Sequence, residues 1–117
     1  HRINPIEEYK GKYICYSLGN FSFAGNTRPD DMDTYIFQQR WRVYPDGAVE
    51  SEGFRIVPCS ISSQEKVNDF KPTPADDAHS DAIVKRLLDL NKKLEKNFKS
   101  TGVTAVGSYP TEWLTTY

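Results

Sequence analysis

Thr34-Tyr35-Ile36-Phe37-Gln38-Gln39-Arg40-Trp41-Arg42-Val43-Tyr44, followed by Pro45-Asp46-Gly47 and then by Ala48 through Val57, is the stretch that decides the architecture. Two runs rich in β-branched and aromatic residues flank a turn in which proline presets φ and glycine accepts a positive φ, which predicts an antiparallel hairpin over residues 34–57. Ile36, Gln38, Arg40 and Arg42 alternate with Phe37, Gln39, Trp41 and Val43. Side chains along a strand change face at every residue, so the pattern assigns Phe37, Trp41 and Val43 to the interior and the arginines to water.

Upstream, Lys12-Tyr13-Ile14-Cys15-Tyr16-Ser17-Leu18 lies between Gly11 and Gly19-Asn20 and reads as a strand. It is apolar on both faces, which predicts a place inside a sheet or between layers. Residues 24–31 are polar and punctuated by Gly25 and Pro29, hence a surface loop. Residues 58–77 are irregular, with Pro72 and Pro74 opposing helix, and are expected to run over the surface.

A helix is predicted over 77–101. Asp76, Asp77 and Ser80 are its capping candidates, Ile83, Leu87, Leu90, Leu94 and Phe98 with Val84 and Leu88 form its apolar stripe, and Gly102 stops it. Asp81/Lys85, Asp89/Lys93 and Glu95/Lys99 stand four apart and are expected to pair. Residues 102–117 read as a docked tail, with Val103 to Val106 as a short strand and Tyr109, Trp113 and Leu114 seeking cover. The fold class is α+β: a mainly antiparallel sheet with one amphipathic helix.

At 117 residues the chain holds one modest core. Fifteen Lys and Arg against 16 Asp and Glu provide no global field for a polyanion, so nucleic acid is not an expected partner. No apolar run approaches the length of a membrane span, and no secretory signal is read in these residues. Cys15 and Cys59 lack the spacing of a thiolate zinc site and read as small buried hydrophobes, although one bridge between them stays open. Met32 is the only methionine and the first residue is His1, which suggests a piece of a longer protein.

Motifs that carry chemistry are sparse. His79 reads as a solvated or capping histidine, and Asp30, Asp31 and Asp33 as a solvated acidic loop without the downstream Gly and Glu of a calcium loop. Glu7 and Glu8 are adjacent, so they face opposite ways and form no acid–base pair. Ser63-Gln64-Glu65-Lys66 matches Ser-x-x-Lys without the partner motifs of that chemistry. Lys92, Lys93, Lys96 and Lys99 form a basic helix face, either simply solvated or able to hold an acidic polymer.

The first 23 residues carry a resemblance. Pro5-Ile6-Glu7, Tyr9-Lys10-Gly11-Lys12 and Tyr16-Ser17-Leu18-Gly19-Asn20-Phe21 are similar to the late block of the bacterial capsule-synthesis and poly-γ-glutamate-biosynthesis family (CapA/PgsA type), which has a calcineurin-like metallophosphoesterase fold. Asn4 stands where that family commonly has Gln, and Cys15 where it has a larger apolar residue. Beyond residue 23 the agreement is in layout only.

The resemblance implies that the chain is the C-terminal segment of a larger metallophosphoesterase-like sandwich. His1 would be the last histidine of a His-x-His block, a partial site for a divalent transition metal whose other ligands lie elsewhere in the parent. Ser17, Asn20 and Phe21 would line the cleft, and Asn20 would not itself be a metal ligand. The chain alone is then expected to be non-catalytic and to carry no cofactor. Its partners would be the remainder of the parent domain, an acidic polymer or capsule-synthesis machinery, at an extracytoplasmic, cell-surface or membrane-associated location. A stand-alone module binding an acidic polymer through the four lysines, and a purely structural extension that forms a homodimer, are the alternatives.

Overall fold

A computed structural model describes residues 1–113. The α+β class holds: a two-stranded antiparallel sheet, a three-stranded antiparallel sheet and one long helix. Strands β1 (Ile6–Tyr9) and β2 (Lys12–Cys15) pair with Ile6 opposite Cys15 and Tyr9 opposite Lys12. The two-residue turn Lys10-Gly11 has positive φ at both positions, 51° and 75°, the twist that suits a tight hairpin. β3 (Asp33–Val43) and β4 (Val49–Ser60) form the long hairpin anticipated over 34–57, turning through Pro45-Asp46-Gly47. β5 (Thr73–Pro74) adds two residues to the Cys59–Ser60 edge, a position that tolerates proline.

The helix α1 spans Asp77–Asn97, and the expected last turn is a separate 3-10 turn, Lys99–Thr101. Of the three capping candidates, Asp76 is the N-cap, its carboxylate accepting the His79 N–H at 2.8 Å. Gly102 closes the end at φ 70°, in the left-handed region that glycine enters without a Cβ clash. The core joins Ile3, Ile6, Tyr35, Ile56, Ile83, Leu87, Val106 and Tyr109, so it draws on both hairpins, the helix and the tail.

The tail packs on the first hairpin, but the short strand expected over Val103 to Val106 is only an isolated bridge at Ala105. Ala105 bridges to Glu7, the Glu8 N–H donates to the Thr104 carbonyl at 2.9 Å, and the Val106 N–H donates to the Ile6 carbonyl at 3.0 Å. Buried polar groups then form a closed chain. The Ile6 N–H donates to Tyr109 Oη at 3.0 Å, Tyr109 donates to Asn91 Oδ1 at 2.5 Å, and Asn91 Nδ2 donates to the Val106 carbonyl at 2.7 Å. Satisfying buried donors and acceptors in this way removes the penalty of burying them bare. Leu114 lies outside the described residues.

Several expectations are corrected. The strand read over Lys12 to Leu18 ends at Cys15, and Ile14, Tyr16 and Leu18 are exposed rather than buried between layers. The block 1–23 therefore ends in isolated bridges, Ile3 to Leu18 and Gly19 to Thr34, not in a strand. In the long hairpin Phe37 packs on the core, but Trp41 and Val43 are 51% and 70% exposed because they lie beyond it. The ladder also slips between Gln39 and Trp41, where Glu52 and Gly53 lie opposite Arg40 and Gly53 adopts φ 102°. Arg40 is not simply wet: its guanidinium lies 4.2 Å from the centre of the Trp113 ring. Phe98, read as the end of the apolar stripe, is exposed.

The connection at 58–77 is less superficial than its composition implies, since Ile61, Ser62 and Asn68 are buried. Ser63 of the Ser-x-x-Lys match donates its hydroxyl to Asp69, and these hydroxyls and backbone N–H groups hold the Asp69 carboxyl well below the usual range. Cys59 is buried and Cys15 half-buried, both as free thiols, as the hydrophobe reading expected.

Candidate functional site

A close approach that requires glycine brings residues 18–20 onto the start of β3. Gly19 sits at φ 85° against Thr34, where an added Cβ would lie 2.6 Å from the Asp33 carbonyl oxygen. Thr34 Oγ1 donates to the Leu18 carbonyl at 2.6 Å, and Ser17 Oγ accepts the Gly19 N–H at 3.2 Å. The chain then delivers Asn20, which is buried, beneath His1.

His1 Nδ1 lies 2.7 Å from Asn20 Oδ1, and the Phe23 ring packs on the imidazole with centroids 4.5 Å apart. An amide oxygen accepts, so this contact places a proton on Nδ1, and in the neutral ring the lone pair is then on Nε2. His1, Arg2, Asn20, Phe23 and Asp31 line a cavity of about 220 Å3. Asn68 ties down the rim: its N–H donates to the Thr27 carbonyl at 2.7 Å and its Nδ2 to the Asn26 carbonyl at 3.3 Å.

Behind this cavity stands a charged cluster that the sequence reading missed. Arg86 of α1 grips Asp31 with both terminal nitrogens, at 3.0 and 2.5 Å, and reaches Asp33 at 2.8 Å. His79 Nε2 lies 2.7 Å from the other Asp33 oxygen. Burial alone would raise the Asp31 carboxyl. The Arg86 hydrogen bonds, the Asp33 N–H and the charges of Arg86 and Arg2 outweigh it and hold the group below its ordinary value. So Asp31 and Asp33 are ion-pair partners rather than a solvated loop, and His79 is bound rather than solvated. Nothing local announced this, because the partners are 46 to 55 residues apart in the chain.

Asn20 and Phe21 line a further cavity with Phe23 and Phe70, whereas Ser17 serves the backbone at Gly19. The four lysines are distant from this region in sequence and all exposed, Lys92, Lys93 and Lys96 on α1 and Lys99 on the 3-10 turn. Among the described residues none of the three expected helix pairs forms. Asp89 pairs with Lys85 at 3.3 Å, and Glu95 accepts the Ala105 N–H at 3.2 Å. Among the described residues, no three His, Cys, Asp or Glu side chains converge as a metal-holding group. Comparisons with protein-family models, with curated proteins and with solved structures returned no match to this chain.

Proposed function

We propose that this chain is the C-terminal portion of a protein of capsule or poly-γ-glutamate biosynthesis or export, with a metallophosphoesterase-like sandwich as the whole. The observation that carries the reading is the 2.7 Å contact from His1 Nδ1 to Asn20 Oδ1. It joins the two ends of the family-like block, and it orients an imidazole in the way metal-bound histidines are oriented, one nitrogen on a protein acceptor and the other outward.

The residues fit a divalent transition metal as one ligand of a set. His1 would hold it, and the metal would supply Lewis acidity toward a phosphoryl group. Asn20 fixes the ring, and Phe23 shields one face of it. The remaining ligands would come from the parent, whose place would be the cell surface or its membrane. The apolar groove of about 410 Å3 lined by Cys15, Leu18, Phe21 and Phe37 is a surface the rest of such a sandwich would cover.

The test is elemental analysis of the protein purified from its natural gene with all residues that precede His1. Bound transition metal that falls by about half or more in His1→Ala, with Asn20→Ala intermediate, is the expected result. A natural protein with no His-Pro before His1, or metal content indifferent to His1, would overturn the reading.

A second reading has its own observation. Lys92, Lys93, Lys96 and Lys99 have no carboxylate partner among the described residues, because Asp89 and Glu95 are engaged elsewhere. Four unpaired ammonium groups at the end of one helix suit an acidic polymer, through contacts weakened by salt. Poly-γ-glutamate binding that is lost when all four become Glu supports it; unchanged binding excludes it.

A further inference from the structure

A cavity of about 530 Å3 lies away from His1, between the first hairpin and the C-terminal end of α1, and shares no lining residue with the His1 cavity. Its polar centre is Glu7. The residue is only 8% exposed, and one carboxylate oxygen accepts the Tyr16 hydroxyl. Tyr9, Tyr16 and Phe98 stand around it, each more than half exposed. No Lys, Arg or His is among its lining residues.

A carboxylate this buried normally has a cationic partner, since an uncompensated buried charge is costly. Among the described residues Glu7 has none, only the Tyr16 phenol. The opposite wall offers no cation either: Leu94 lies in the last turn of α1 and Phe98 is the C-cap that follows it. Aromatic rings around such a site attract cations through their faces, and one already does so, with Lys10 Nζ 5.2 Å from the centre of the Tyr9 ring at the rim.

We infer that this cavity binds a small organic cation carrying an alkylammonium head, held between the Glu7 carboxylate and the rings of Tyr16 and Phe98. Its lining contains neither His1 nor any of the four lysines. Volume also agrees, because small-molecule sites begin at a few hundred Å3.

The experiment is a chemical-shift titration of the full chain with choline and with 3,3-dimethylbutan-1-ol, its uncharged isostere. Saturable shifts at residues 7–9, 16 and 94–103, with choline at least about tenfold tighter than the alcohol, are expected. Glu7→Gln brings choline down to the level of the alcohol. Should that variant melt early, Phe98→Leu, at an exposed position, decides in its place by weakening choline about threefold or more. Equal binding of the two probes, shifts elsewhere, or choline binding unchanged in whichever of these variants folds would overturn the inference.

Discussion

The two ends of the β3–β4 hairpin have the same kind of sequence and opposite fates. At the inner end Tyr35 and Ile56 are fully buried, and Phe37 stacks on Phe54 with centroids 5.4 Å apart. At the outer end every residue from 41 to 50 is exposed, including Trp41, Val43 and Val49. Alternation dictates which side chains share a face, but only the helix, the first hairpin and the tail decide whether that face is covered. Among the described residues the covering elements reach the inner end, and Gly53 at the bulge marks the boundary.

Substitutions along the hairpin sharpen that contrast. Ile56→Ala removes a wholly buried side chain at the meeting of helix and sheet and is expected to lower unfolding free energy by about 2–5 kcal/mol in urea titration. Gly19→Ala forces a Cβ onto the Asp33 carbonyl at a positive φ, which costs about 2 kcal/mol and loosens the His1–Asn20 contact. At Gly53 φ is also positive but nothing lies within 4 Å of an added Cβ, so Gly53→Ala is expected to cost only about 1 kcal/mol of backbone strain.

Asp31 adds a pH signature to the inner end. Its folded pKa is below the ordinary 3.8, so the stability it contributes is present above that value and is lost as pH falls through the folded pKa. Asp31→Asn should therefore cost about 1 kcal/mol at pH 7, after allowance for the half-exposed setting of Arg86, and progressively less as acid protonates the native carboxyl. A cost equal at pH 7 and in strong acid would contradict the pairing. Val43→Thr at the outer end is expected to stay within about 0.5 kcal/mol, and a larger loss would mean that this face is covered in solution.

What the residues disclosed by themselves follows the same division. The long hairpin, the Asp76 cap and the Gly102 stop rest on local chemistry, and each was legible. The fate of Ile14, Tyr16, Leu18, Trp41 and Val43 depends on distant cover, and periodicity misjudged all five. The site divides likewise. His1, Asn20 and Phe21 were named from a motif, whereas Arg86, Asp31, Asp33 and His79 converge only through the packing of α1 against the start of β3. Glu7 was dismissed as half of an acid–base pair, and its buried place beside Tyr16 needed the first hairpin and the tail together.

The central claim is that His1 is held by Asn20 with its outer nitrogen bare. Nitrogen-15 NMR of the imidazole at neutral to mildly alkaline pH tests it most directly. The account predicts the tautomer protonated on Nδ1, with Nε2 unprotonated, and a return to an ordinary tautomer mixture in Asn20→Ala. A proton on Nε2, or a mixture unaffected by Asn20→Ala, would contradict it.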